Sequence, residues 1–350
     1  LIGVIEGECQ KRIALLKRKM EDTEERRAIV TRIYDNRDKR IKEIWEAAKL
    51  QEKQYMALWP KLDLLSCYRD FLQESNPSLS NEVDRSLWQK TCRHSLSILN
   101  RKRIETEDLA PLICLQQKIN GLSKKLQIYH TVIDEAQDFS IYQFDVLKNL
   151  AGNSSFTIVG DLSQGIHSYR GIQNWQDAMK TVFADDDPQY ASLIQSYRNT
   201  IEIMEFANRV AEKAPYPGQV LANPVLRHGE EPVIMQMDSP KEVYSAIADR
   251  IMDLQREGYK TIAIIDKTTE ACRKTVQALR KTMDIPIQML NADDRQYQGG
   301  IMVIPSYMAK GLEFDVVIMA DVSEASFGAD PLDARLLYVC FTRPLHRLYG

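Results

Sequence analysis

At 350 residues the chain exceeds one average domain and has room for two or three hydrophobic cores. Hydrophobic residues make up 44% and charged residues 27%, the balance expected of a water-soluble globular chain, and no apolar run approaches a bilayer span. A net charge of −3 excludes a protein that grips nucleic acid mainly through an overwhelming positive field, but leaves room for a local basic groove.

Taken in chain order, residues from about 8 to 60 interleave acids and bases, with Ile13, Leu16 and Met20, then Ile41, Ile44 and Ala48, at helical spacing. Glycine and proline are nearly absent there until Pro60, so helices can run long, and the helical texture continues through Trp88 and Leu99. These features predict an all-helical arm over residues 1–105. Its interleaved charges favour a solvated helix face over a nucleic-acid patch.

Beyond residue 105 short apolar strands alternate with helical stretches, the pattern of a parallel α/β architecture. Strands are expected at Tyr129 to Ile133 and Phe156 to Val159. A second group is expected at Ser192 to Gln195, Val233 to Gln236, Thr261 to Ile265, Met302 to Ile304 and Val316 to Met319. With a junction near residue 190, this gives α/β blocks over 106–190 and 191–350, the second interrupted by a loop at Pro215, Pro217 and Gly218. The six cysteines, Cys9, Cys67, Cys92, Cys114, Cys272 and Cys340, form no C-x-x-C pair, so reduced and mostly buried thiols are expected, together with a cytoplasmic location.

The sharpest chemical signal follows the first of these strands, where Asp134 and Glu135 stand at its carboxyl end, facing the crevice in which α/β sheets bind ligands. Such a pair suits magnesium and water, with Asp134 anchoring the metal and Glu135 orienting or deprotonating an attacking water. An acid after a strand can also simply cap the next helix. The second strand likewise runs into polar residues, Gly160, Asp161 and Gln164, followed by His167, Tyr169 and Arg170.

The segments Asp134-Glu135-Ala-Gln137-Asp138 and Gly160-Asp161-Leu-Ser-Gln164, with the run that ends in Tyr169-Arg170-Gly171, resemble the second and third signature motifs of UvrD/Rep-type superfamily 1 helicases. Gln195-Ser-Tyr197-Arg198-Asn199 resembles the fourth, Ile304-Pro-Ser-Tyr-Met-Ala-Lys310-Gly311-Leu-Glu313-Phe the fifth, and Arg335 through Tyr338 to Thr342-Arg343 the sixth. These five segments occur in the family's order over residues 128–350. The resemblance implies two RecA-like (P-loop NTPase-type) parallel-sheet domains. It also implies ATP and Mg2+ as ligands and a 3′–5′ DNA helicase activity. It assigns Gln164 to sensing the terminal phosphate, Arg198 to the γ-phosphate and Arg343 to an arginine finger. It puts Gln137, Tyr197, Gly311 and Glu313 against the nucleotide, with Tyr197 stacking on adenine, and Tyr169 and Arg170 against DNA. His167, Pro305, Tyr307 and Pro344 depart from the residues common in the family. Any one of these arginines taken singly could serve only a surface or interdomain salt bridge.

No G-x-x-x-x-G-K-[ST] phosphate loop occurs in the 350 residues, although chemistry of this kind needs one. With Leu1 in place of a methionine, that absence leads us to expect an upstream portion outside this chain, an incomplete first sheet with an exposed edge, and no efficient ATP hydrolysis by this chain alone. The short spacing from Thr269 to Ile301 and the helical arm most resemble the HelD (helicase IV-like) subgroup, whose arms engage RNA polymerase. Three functions therefore stay open: a nucleic-acid motor, an ATP-driven remodeller of RNA polymerase, and a degenerate ATPase kept as a scaffold.

Overall fold

The computed structural model describes residues 1–59, 61–73, 84–121, 128–167, 169–213, 215, 219–225, 227–284, 286–290 and 299–350. Pro217 and Gly218 of the expected loop lie outside these residues. Contacts divide the chain into two units, Leu1–Asp108 and Leu109–Gly350.

The first unit is helical. Helix α1 (Ile2–Lys19) turns Ile5, Cys9 and Ile13 inward at four-residue spacing and packs on α2 (Glu24–Ala57). Between them the chain reverses around Asp22, which pairs with Arg26 at 2.8 Å, and Thr23 caps α2 by accepting from the Arg26 amide at 3.3 Å. No residue of the 34-residue α2 is buried, so one partner helix leaves most of its surface in water. Helix α3 (Leu64–Gln73) and helix α4 (Arg85–Asn100) form a second pair, with Tyr68, Leu72, Cys92 and Leu99 inside it. Asp108, in the first turn of α5 (Thr106–Asn120), is buried and accepts from the Tyr68 hydroxyl at 2.7 Å and the Ser95 hydroxyl at 3.2 Å.

The second unit is a mixed α/β structure in which all strand pairs are parallel. Strand β1 (His130–Ile133) pairs with β2 (Ser155–Ile158) across α6 (Ile141–Ala151), a βαβ crossover whose helix starts with a capping box formed by Ser140 and Gln143. Phe144 of α6 packs with Ile133, Leu162, Ile172 and Phe183, and α7 (Trp175–Thr181) closes this core with Ala178. Val132 and Tyr129 remain exposed beside β1.

Next come β3 (Gln195–Ser196), α8 (Ile201–Ala211) and β4 (Asn223–Pro224), with β3 and β4 paired. They are followed by α9 (Pro240–Arg256), β5 (Thr261–Asp266), α10 (Thr269–Thr282), β6 (Ile287–Met289), β7 (Gly300–Pro305), β8 (Phe314–Met319), α11 (Pro331–Phe341) and β9 (Pro344–Tyr349). Five of these strands make one sheet, ordered β6-β7-β5-β8-β9. Its central strands are buried on both faces, which is why their sequences read as unbroken apolar runs. Ile262 and Ile264 of β5 face α9 and α10, through Ile251, Leu254 and Leu279, whereas Ala263 and Ile265 face α8 and α11, through Ile203, Ala207 and Phe341.

Two expected strands differ from the structure. Val233 makes an isolated parallel bridge to Tyr349 on the outer side of β9, and the Met235 amide adds a hydrogen bond to the Gly350 carbonyl, short of a strand ladder. The strand expected over Ser192 to Gln195 shortens to Gln195–Ser196, since Ser192, Leu193 and Ile194 are exposed. Strands β4, β6 and β9 were not expected. Six free cysteines are present, of which Cys9, Cys92, Cys272 and Cys340 are buried. Among the described residues no helix is long and apolar enough to cross a membrane.

Candidate active site

Strand β1 ends at Ile133, whose side chain is buried, and so delivers Asp134 and Glu135 to the surface at its carboxyl end. Asp134 Oδ1 accepts from the Glu135 amide at 2.8 Å, and Glu135 adopts the left-handed conformation, φ 52° and ψ 35°. That conformation is uncommon for a residue with a side chain and is typical of functional turns. It starts a 3-10 turn (Ala136–Asp138), while Ser140, not an acid, caps α6. Capping therefore does not explain the Asp-Glu pair. The backbone of Gly171 lies so close to the Gln137 carbonyl that any Cβ there would collide with it, which holds the turn against the segment after Tyr169.

Gln137 is buried and uses both ends of its amide. Its Nε2 donates to Glu135 Oε2 at 2.5 Å, and its Oε1 accepts from the Asp161 amide at 3.0 Å. Asp161 Oδ2 accepts from Gln164 Nε2 at 2.8 Å, and Gln164 Oε1 accepts from Arg343 Nη2 at 2.9 Å. A continuous polar line thus runs from the Asp-Glu turn through the end of β2 to the end of α11.

Arg343 is 1% exposed and its hydrogen-bond partners are neutral: Gln164, the Val339 carbonyl at 2.9 Å, the Thr342 hydroxyl at 3.0 Å and the Leu312 carbonyl at 3.5 Å. Burial, and next the Arg198 charge, lower its pKa from the ordinary guanidinium value, while Glu135 and Glu313 act in the opposite sense. Arg198 itself pairs with Glu313 at 2.5 Å in a half-exposed bridge. For Arg198 the salt-bridge reading thus holds in this conformation, and for Arg343 it does not.

Glu135, Gln137, Gln164, Arg198, Glu313 and Arg343 lie around one region. Asp134 stands exposed at its rim. Tyr197 has a 61% exposed ring, its hydroxyl donating to Gln195 Oε1 at 2.8 Å. Gly311 has φ +79°, so its turn needs glycine whether or not it also meets a ligand. Tyr169 is 74% exposed, with the Arg170 guanidinium 5.8 Å from its ring centre and His167 packed edge-on at 6.0 Å.

Sequence reasoning gave no role to three further residues. Lys310 reaches Asp138 Oδ2 at 2.7 Å and Glu135 Oε2 at 3.4 Å. Asn199 is buried and donates to the carbonyls of Thr342 and Pro344 at 3.2 and 2.6 Å, on either side of Arg343. Arg335 donates to the Gly165 carbonyl at 3.5 Å. All three lie inside recognisable segments, but only the folded chain gives their partners.

The donor set suits a nucleotide phosphate. A guanidinium desolvated among neutral acceptors is costly unless an anion compensates it. For magnesium, Asp134 and Glu135 are hard oxygen donors of the right kind. Among the described residues no group of three or more His, Cys, Asp or Glu could hold a metal, so these carboxylates fit a cation only with phosphate and water completing its shell.

Residues 7–182, half the chain, match the UvrD/REP helicase N-terminal domain, and residues 300–349 match the UvrD-like helicase C-terminal domain. The chain is 24% identical over 317 residues to the ATP-dependent DNA helicase R568 of Acanthamoeba polyphaga mimivirus, covering 82% of this chain and 43% of that protein. It is 26% identical over 265 residues to a DNA helicase II homolog of Mycoplasma genitalium, covering 72% of this chain and 34% of the relative. Against the ATP-dependent DNA helicase Rep of Escherichia coli K12 it is 26% identical over 165 residues, 45% of this chain and 24% of Rep. The matched part thus spans less than half the length of each of these relatives. With both of its domain types matched in order, the chain belongs to the UvrD/Rep family of superfamily 1 helicases.

Proposed function

We propose that this chain forms part of an ATP-driven motor that moves 3′ to 5′ on DNA in the cytoplasm, its α/β blocks acting as two RecA-like domains over 106–190 and 191–350. The observation that carries this reading is the buried Arg343 guanidinium, hydrogen-bonded to Gln164 of the other block and without a carboxylate partner among the described residues. Such a group stabilises negative charge developing on a transferring phosphoryl group, and the low-dielectric setting magnifies its effect.

In this reading Asp134 binds the metal, through water or directly, and Glu135 orients and deprotonates the attacking water. Bound magnesium supplies positive charge to the phosphate oxygens. Gln164 links the phosphate to Arg343, so a change at the phosphate shifts a hydrogen bond that spans the two blocks. Arg198 is released from Glu313 to the γ-phosphate, Glu313 and Gly311 meet the nucleotide, and Tyr197 offers its exposed ring to adenine. Tyr169, with Arg170 beside it, stacks on a base of single-stranded DNA.

The test is Glu135→Gln in the full-length protein: ATP should still bind while turnover falls to background. Wild-type turnover in that variant would refute the assignment.

A second reading, an ATP-driven remodeller of RNA polymerase, draws on one feature of the arm. The far half of α2 and the residues after it expose Trp45, Leu50, Tyr55, Met56 and Trp59. Exposed aromatic and apolar side chains in such numbers suit a protein partner. Purified RNA polymerase retained by the full-length protein, with no strand displacement on a tailed duplex, would favour this reading; the converse result would favour the motor.

A further inference from the structure

Lys310 sits where β7 gives way to β8, on a turn fixed at both ends. Before it, Ser306 donates its hydroxyl to the Lys267 carbonyl at 3.0 Å and Ala309 is fully buried. After it, Gly311 takes a left-handed conformation that reverses the chain. From this base the lysine side chain, only 10% exposed, crosses to the other α/β block and places its ammonium between two carboxylates of the Asp-Glu turn, 2.7 Å from Asp138 Oδ2 and 3.4 Å from Glu135 Oε2.

The two contacts have different consequences. Asp138 is held mainly through this lysine, since its other oxygen, Oδ1, is buried without a partner among the described residues. Glu135 Oε2 already accepts from Gln137 Nε2 at 2.5 Å, and the ammonium adds an ion pair to the same oxygen. A hydrogen bond and an ion pair on the same oxygen restrict the rotation of the Glu135 carboxylate. A lysine ammonium, a compact charge with three donors, can serve both acids at once.

We propose that Lys310 is a positioning residue for Glu135: it fixes the carboxylate that faces the attacking water, and does so only while the two α/β blocks are together. The inference rests on the reading of Glu135 given above. Separation of the blocks withdraws Lys310 and leaves Glu135 held by Gln137 alone, so the alignment of the water depends on closure. Asp138 anchors the lysine and takes no part in the chemistry. Misplacing a reacting group by about 1 Å costs on the order of a hundredfold in rate, which sets the size of the effect.

The experiment uses the full-length protein with ATP and magnesium, comparing wild type, Lys310→Met, Lys310→Gln, Lys310→Arg and Glu135→Gln for kcat, KM and equilibrium ATP affinity. The Met and Gln variants should lose kcat by about a hundredfold with KM and ATP affinity within about threefold of wild type. Lys310→Arg, which can still bridge both acids, should recover kcat to within about tenfold of wild type. Having two neutral variants covers the case in which one fails to fold.

Wild-type kcat in the neutral variants overturns the role of Lys310, as does a loss expressed in KM and ATP affinity, or an arginine variant no better than methionine. If Glu135→Gln is inactive in the same series, the reading of Glu135 stands and only the lysine's role falls. Wild-type turnover in Glu135→Gln removes both.

Discussion

Arg343 and Gln164, 179 residues apart in the chain, meet through a 2.9 Å hydrogen bond that ties the end of α11 to the turn after β2. The guanidinium is almost wholly buried, yet its fixed partners are neutral. A buried charge without a counter-charge carries a desolvation penalty on the order of several kcal/mol, which an apolar side chain of similar length removes. Arg343→Met is therefore expected to fold at least as stably as the wild type in denaturant titrations. In the full-length protein it should lose ATP turnover by about a thousandfold or more. A variant that unfolds early and keeps its turnover would reverse both assignments.

Asp266, at the end of β5, offers a pH-dependent test of the five-stranded sheet. It is 5% exposed, and burial pushes its pKa up to about 6, with the Thr275 hydroxyl opposing the shift. A carboxyl whose folded pKa lies above its unfolded value binds more protons when folded, so stability is highest below about pH 4 and declines as the pH rises through about 6. Asp266→Asn removes that penalty. The variant should exceed the wild type by about 1 to 3 kcal/mol at neutral pH, with the gap closing below about pH 4. Denaturant midpoints measured from pH 4 to 8 decide it, and a constant gap across that range would contradict the argument.

Tyr169 is the most exposed aromatic of the segment after β2. If it stacks on a base, Tyr169→Ala should weaken single-stranded DNA binding by about 1 to 3 kcal/mol, while Tyr169→Phe keeps most of the affinity. Fluorescence anisotropy at fixed salt measures both. Equal affinities for all three proteins would exclude stacking.

The strands most legible in the sequence were those buried on both faces. Runs such as Ile262-Ala-Ile-Ile265 and Val316-Val-Ile-Met319 announce themselves because each residue enters one of two cores. Strand β9 was hidden. It opens with Pro344 and carries His346 and Arg347, residues tolerated because the strand is the last of the five-stranded sheet, paired with β8 on one side and bridged only by Val233 on the other. Strand β6 is only three residues long, too short for a period-two signal. At the site, the identity of Glu135, Gln164 and Arg343 could be read from motif order. Their connections could not, because Gln137 reaches Asp161, 24 residues on, and Lys310 reaches Asp138, 172 residues away, only once the chain has folded.

Asn199 follows directly on Tyr197 and Arg198, and its amide grips the two carbonyls that bracket Arg343. The backbone segments that carry Arg198 and Arg343 are thereby tied to each other through one buried side chain. Without that buried amide the two carbonyls would lose a donor, and the segments that carry Arg198 and Arg343 would lose the clasp that sets their spacing.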